Sequence, residues 1–255
     1  MTLRCEKLGF TYRGTSRPVL QDITLHFNNP VTAIIGPNGA GKSTLLRLLG
    51  ALEDRGQTKG HVFIEDSKLE TVPVPDRVRR IAFLSQTPRL SAPLSVRQSV
   101  ALGRVLLSPD DEAVDRALNA VGLLARANDR FGTLSIGQRQ LAAFARTMAQ
   151  LSGPRAESPR YLLADEPVAA LDPSHAIRLA KLIRNGAESG IRCIMVVHDL
   201  GFAAAVADRV VFLAEGGSLL LDGPPDEMFT SERLGKLFGC GFREPSGTLH
   251  PDYGA

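Results

Sequence analysis

Residues 36–44 read Gly-Pro-Asn-Gly-Ala-Gly-Lys-Ser-Thr, and no other stretch restricts the fold of this chain as strongly. Gly36 to Ser43 satisfies G-x-x-x-x-G-K-[ST], the spacing of a phosphate-binding loop. An apolar, β-branched run precedes it (Val31-Thr32-Ala33-Ile34-Ile35), and a helical apolar pattern follows (Leu45-Leu46-Arg47-Leu48-Leu49). The order strand, glycine loop, helix has a physical purpose. A triphosphate needs many donors converging on a small volume. Without side chains at Gly36, Gly39 and Gly41, backbone N–H groups can turn inward and approach the oxygens closely. The helix directs its N-terminal donors and partial positive charge at the same anion. Lys42 adds a cation for the β and γ phosphates, and Ser43 offers a hydroxyl to Mg²⁺. The whole cradle, Gly36, Pro37, Asn38, Gly39, Ala40, Gly41, Lys42, Ser43 and Thr44, is expected to contact the nucleotide.

Such a loop needs a partner acid for Mg²⁺, and such acids stand at strand ends. Leu162-Leu163-Ala164-Asp165-Glu166 is an apolar strand ending in two carboxylates. Asp165 suits the metal, and Glu166 suits accepting a proton from the attacking water or orienting it. A nucleoside triphosphate with Mg²⁺ is the expected ligand pair.

Composition excludes several other classes. The apolar fraction of 44% is enough for a globular core, and 255 residues suit one large domain or a core with a subdomain. A net charge of +3 is too small to argue for a nucleic-acid partner, and none is expected. Cys5, Cys193 and Cys240 are scattered, with no C-x-x-C pair, which points to a reducing compartment and no cysteine metal site. Cys193 falls within an apolar run and is expected in the core. No apolar run approaches the ~18 residues of a membrane span, and no apolar segment follows the first charges, so a soluble, intracellular chain is expected.

Periodicity predicts strands at 3–12, 19–27, 31–35, 61–65, 81–85, 161–164, 191–197, 210–213 and 218–222. Helices are expected at 96–102, 112–121, 138–151, 174–189 and 200–207. From Pro88 to about Arg130 short helical patterns broken by Pro93, Gly103, Pro109 and Gly122 read as an insertion in an α/β core. Residues 152–159 read as a surface loop, and the Gly- and Pro-rich tail from Phe242 as disordered. Strands alternating with helices imply a mostly parallel sheet covered on both faces.

With these motifs in order, residues 1–240 resemble the ATPase subunit of ATP-binding cassette transporters. The most specific element is Leu134-Ser135-Ile136-Gly137-Gln138, which is similar to the family's Leu-Ser-Gly-Gly-Gln, with Ile136 in place of the first glycine. The resemblance implies that the nucleotide is ATP, and with it a phosphate-loop ATPase core, an N-terminal antiparallel β subdomain, a helical signature subdomain at about 87–150, and a flexible tail at 241–255. It implies a head-to-tail homodimer in which Ser135, Gly137 and Gln138 of one copy contact the nucleotide held by Lys42 of the other. It further implies that Tyr12 stacks on adenine and that Gln86 senses Mg²⁺ and the transport partner. Asp172 would meet the opposite phosphate loop, and His198, at the end of an apolar strand, would contact the γ phosphate. Val168 and Ala169 stand where the family commonly has Thr and Ser. His26, His61, His175 and His250 have no such context and are expected at the surface.

The segments 96–104 and 222–228 are similar to those of importer ATPases for iron chelates, haem and cobalamin. The implied partners are integral membrane permease subunits and, indirectly, a substrate-binding protein, with the chain peripheral on the cytoplasmic face of the membrane. An importer for another small solute, a soluble cassette ATPase of DNA repair or the ribosome, an inactive regulatory homologue and an exporter cassette are the competing readings. The repair type would carry a long coiled coil between Lys42 and Ser135, the ribosomal type two cassettes, and the exporter fused membrane helices. Lys42, Asp165, Glu166 and His198 argue against inactivity.

Overall fold

A computed structural model describes residues 2–88, 90, 92–153, 159–243 and 250–251. The chain divides into two compact units, 1–71 with 194–255, and 72–193.

The first unit opens with β1 (Leu3–Tyr12) and β2 (Leu20–Phe27), then β3 (Val31–Ile35), α1 (Lys42–Leu49), β4 (Gly56–Ile64) and β5 (Ser67–Lys68). β1 pairs antiparallel with both β2 and β4, giving the order β2-β1-β4-β5. This is the expected antiparallel sheet. β4 starts five residues before the expected strand. Its added half, Gln57-Thr58-Lys59, is exposed and polar, so no alternation announces it; pairing with Thr11, Phe10 and Gly9 of β1 creates it. β3 is buried at every position, as expected of a parallel strand covered on both faces.

The second unit contains α2 (Val74–Arg80), β6 (Ile81–Leu84), α3 (Val96–Ala101), α4 (Asp111–Ala120), α5 (Ile136–Leu151), β7 (Arg160–Asp165) and α6 (Pro173–Glu188). β6 and β7 run parallel, in register from Ile81 with Tyr161 to Leu84 with Ala164. α5 packs on α3 and α4, and its Leu141 and Phe144 are buried. Four of these helices have a side-chain cap: Ser95 for α3, Asp110 for α4, Ser135 for α5 and Asp172 for α6. α2 was not legible in the pattern because none of its residues is buried. Pro at its start and the Gln150 amide, donating to the carbonyls of Val78 and Ile81, hold it instead.

β8 (Ile191–Val196) returns the chain to the first unit. There α7 (Leu200–Val206), β9 (Arg209–Leu213), β10 (Leu219–Gly223), α8 (Pro225–Met228) and α9 (Ser231–Phe238) follow. β3 and β9 pair in parallel, with β10 antiparallel at the edge of β9. Parallel ladders flanked by helices, beside an antiparallel N-terminal sheet, are the α/β architecture the sequence implies. Cys193 is buried, as expected. Of the loop and tail read as irregular, residues 154–158, 244–249 and 252–255 lie outside the described residues. Phe242–Arg243 pairs antiparallel with His250–Pro251.

Candidate functional site

The phosphate loop bends between β3 and α1. Gly39 and Gly41 both have φ of +82°, a left-handed backbone that L side chains rarely adopt. At Gly41 a Cβ would also lie 2.7 Å from the Val19 carbonyl oxygen and from Leu20 Cδ2. Gly41 caps α1 with no side-chain hydrogen bond, and no acid occupies the first turn. Neither a capping side chain nor a first-turn carboxylate therefore competes with an anion at this helix start. Lys42 is buried, and its Nζ donates to the carbonyls of Gly36 and Pro37 at 2.8 Å each. Its ammonium is thus held across the loop. Ser43 is half-buried and Thr44 buried beside it.

Beside the loop lies a cavity of about 310 Å³ lined by Tyr12, Arg17, Val19, Asn38, Gly39, Glu215 and their neighbours. The Tyr12 hydroxyl lies 2.9 Å from Thr44 Oγ1 and donates to Glu53 Oε2 at 3.3 Å. Sequence reasoning missed Arg17, Glu53, Arg55 and Glu215. They lie outside every motif, and only their place beside Tyr12 or the cavity marks them. His198 is exposed, just past β8. The Val197 N–H donates to the Ile34 carbonyl at 3.3 Å, which sets His198 next to the end of the strand that carries the phosphate loop. The first unit therefore gathers Tyr12, the loop and the strand end bearing His198.

The remaining expected residues belong to the second unit. β7 is buried from Tyr161 to Asp165, with Asp165 only 2% exposed. Glu166 follows at φ 48°, a strained conformation for a residue with a Cβ and one that concentrates at functional sites. Gln86 Nε2 donates to Glu166 Oε2 at 2.9 Å, so the residue expected to sense Mg²⁺ and the one expected to act on the attacking water are in direct contact.

Ser135 and Gln138 form a reciprocal capping box at the start of α5. The Gln138 N–H donates to Ser135 Oγ at 3.2 Å, and the Ser135 N–H donates to Gln138 Oε1 at 3.1 Å. Arg126 also donates to Gln138 Oε1, at 2.6 Å, so this oxygen serves the chain's own donors. The Ser135 O–H remains a donor. Ile136 is 65% exposed, so the residue that replaces a glycine points to solvent rather than into the helix packing. Gly137 sits against Ala170, where a Cβ would meet the carbonyl oxygen at 3.0 Å.

Asp172 accepts from the His175 N–H at 3.0 Å, from Ser174 Oγ at 2.7 Å and from His175 Nδ1 at 2.6 Å. These donors hold its carboxyl well below the usual carboxylate range, the backbone N–H contributing most. His175, expected to be an uninvolved surface residue, is half-buried and committed to Asp172. His26 is exposed, and the His250 side chain lies outside the described residues.

The family model for ABC transporters matches residues 20–169, from β2 through the phosphate loop and signature helix to just past the paired acids. The chain belongs to the ABC transporter family. It is an ATP-binding and ATP-hydrolysing subunit of that family. Among its relatives is a hemin import ATP-binding protein of Plesiomonas shigelloides, 34% identical over 94% of this chain and 98% of that one. The protein of the same name in Bradyrhizobium diazoefficiens is 40% identical over 82% of this chain and 78% of its own length. A solved structure described as a metal-chelate type ABC transporter, inward-facing, superposes with a TM-score of 0.75. It is 26% identical, covering 99% of this chain and 98% of that one. An ATP-binding cassette dimer bound to ADP and Pi shares the fold, with a TM-score of 0.74 at 23% identity over 88% of this chain and 98% of that one.

Proposed function

We propose that this ABC ATPase energises import of haem, or of a related iron chelate or cobalamin-like compound, through a partner permease. The observation that carries the substrate class is its likeness, along nearly the whole chain, to hemin import ATP-binding proteins. No helix among the described residues is long and apolar enough to cross a membrane. By its likeness to importer subunits, the path for the solute belongs to permease subunits, with this chain peripheral on the cytoplasmic face and a substrate-binding protein acting from the far side. Residues 1–240 form one cassette with a helical segment at about 87–150, and the stretch near Gln86–Gly103 is the part that meets the permease.

The catalytic assignment follows from donor chemistry. Lys42, the loop N–H groups and His198 stabilise charge on the transferring phosphoryl group. Glu166 orients the attacking water and takes its proton. Gln86 spends its amide nitrogen on Glu166, which leaves its carbonyl oxygen for a hard cation. Ser43, Gln86 and Asp165 each carry a hard oxygen donor of the kind Mg²⁺ takes, and they are the residues that would hold it. When bound, the ion would supply positive charge that offsets the charge of the triphosphate. Ser135 and Gly137 of a second copy contact the γ phosphate from the start of α5, with Gln138 beside them at the nucleotide, and Asp172 meets the opposite loop. Loss of the γ phosphate removes the anion that joins the two copies, and their separation drives the permease.

The test is ATP hydrolysis and light scattering of purified wild type beside Glu166→Gln. Wild type should turn over, and the variant should accumulate as an ATP-bound dimer with hydrolysis down by about 10²–10⁴, the usual contribution of a positioned general base. Absence of both turnover and dimer, unchanged by Ile136→Gly and by added permease, would refute the assignment.

A further inference from the structure

Tyr12 ends β1 next to the exposed run Arg13–Arg17, where nothing in the strand itself would fix its ring. The ring is nevertheless restrained from several sides. Phe10 meets it edge to face at a centroid distance of 4.9 Å and an interplanar angle of 88°. Its hydroxyl reaches Thr44 on the first turn of α1 and Glu53 just beyond that helix. The Glu53 side chain is 0% exposed and is gripped by Arg55, whose Nε reaches Oε1 at 2.8 Å and whose Nη2 reaches Oε2 at 2.7 Å. The Arg55 guanidinium also lies over the Tyr12 ring, 5.7 Å from its centroid. Arg47 of α1 approaches the same carboxylate at 3.9 Å. A two-point Arg–carboxylate pair fixes direction as well as distance. Its position here determines where the Tyr12 hydroxyl is held.

We propose that Glu53 and Arg55 are positioning residues for base recognition: they hold the Tyr12 hydroxyl against α1 so that the ring presents a fixed face to the adenine in the adjoining cavity. The inference rests on the reading that Tyr12 stacks on adenine. Stacking depends on ring orientation, and a ring free to swing must be ordered again by each nucleotide that binds. Glu53 and Arg55 therefore act on the base, not on the phosphates, and through Tyr12 alone. Thr44 joins the same hydroxyl to the helix that receives the phosphates, so a variant acting through α1 instead would disturb triphosphate binding as well.

The experiment compares dissociation constants for Mg·ATP and for Mg·tripolyphosphate, which has no base. The chains are wild type, Tyr12→Ala, Tyr12→Phe, Glu53→Gln, and Glu53→Gln in each Tyr12 background. Tyr12→Ala should weaken ATP about 5- to 150-fold, the range for loss of a base–aromatic stack, and leave tripolyphosphate within about twofold. Glu53→Gln and Tyr12→Phe, which keep the shapes but weaken or cut the tether, should each weaken ATP by about fivefold. Adding Glu53→Gln to either Tyr12 variant should cost nothing more. Equal weakening of ATP and tripolyphosphate by Glu53→Gln would overturn the proposal, as would additive losses. If Tyr12→Ala weakens ATP and Glu53→Gln does not, the positioning role falls and the stacking reading stands. If Tyr12→Ala leaves ATP binding intact, the stacking reading falls and takes the positioning role with it.

Discussion

Gly39→Ala and Gly41→Ala form a paired test of what the phosphate loop requires. Both glycines have φ of +82°, so both substitutions force an alanine into the left-handed region at about 1–2 kcal/mol. The stiffer unfolded chain returns about 0.4–1 kcal/mol in each case. At Gly39 a Cβ meets nothing within 4 Å, and the net loss should stay near 1 kcal/mol. At Gly41 the Cβ lies 2.7 Å from the Val19 carbonyl oxygen and from Leu20 Cδ2, and the oxygen belongs to a backbone that cannot move aside cheaply. Overpacking of this kind adds about 1–3 kcal/mol. At roughly 2–4 °C per kcal/mol for a chain of this size, Gly41→Ala should melt about 2–12 °C below Gly39→Ala. Thermal unfolding without nucleotide, followed by circular dichroism, reads the difference directly. Equal melting temperatures, or a lower one for Gly39→Ala, would refute the argument that close approach to Val19 selects glycine at 41.

Two further outcomes follow from other parts of the fold. The folded state lowers the Asp172 pKa through donation from the His175 N–H, Ser174 and the His175 ring, so its charged form stabilises the fold. That stabilisation is complete above the ordinary carboxylate value near 3.9 and is lost as pH falls through the lower folded-state value. Urea denaturation should show Asp172→Asn less stable than wild type at pH 6–7, with the gap closing only in strong acid; a gap that closes between pH 5 and 7 would contradict this. The thiols separate by burial. Burial raises Cys5 and Cys193 to about 12, while Cys240 is exposed. A thiolate reagent at pH 8 should label one cysteine in the native chain and three after denaturation, and rapid native labelling of all three would show that the core is open.

The sequence by itself determined the parts of this protein whose chemistry is packed into a few consecutive residues. The strand–loop–helix at 31–49, the acids ending β7 and the Ser-x-x-Gln start of α5 each encode their geometry locally, through glycine, capping and apolar run length. Even there, α5 begins two residues before the expected start, because Ser135 caps it by bonding forward to Gln138. Only the tertiary structure decided the features built from residues far apart. The polar half of β4 exists because β1 offers it a ladder. His198 stands beside the end of β3 because the Val197 N–H bonds Ile34. Tyr12 meets Glu53 across 41 residues. Glu53 and Arg55 read as ordinary surface charges in a polar turn, and no periodicity marks them. A carboxylate acquires such a role from the groups folded around it, and closing the chain over those distances depends on the whole packed core rather than on any local pattern.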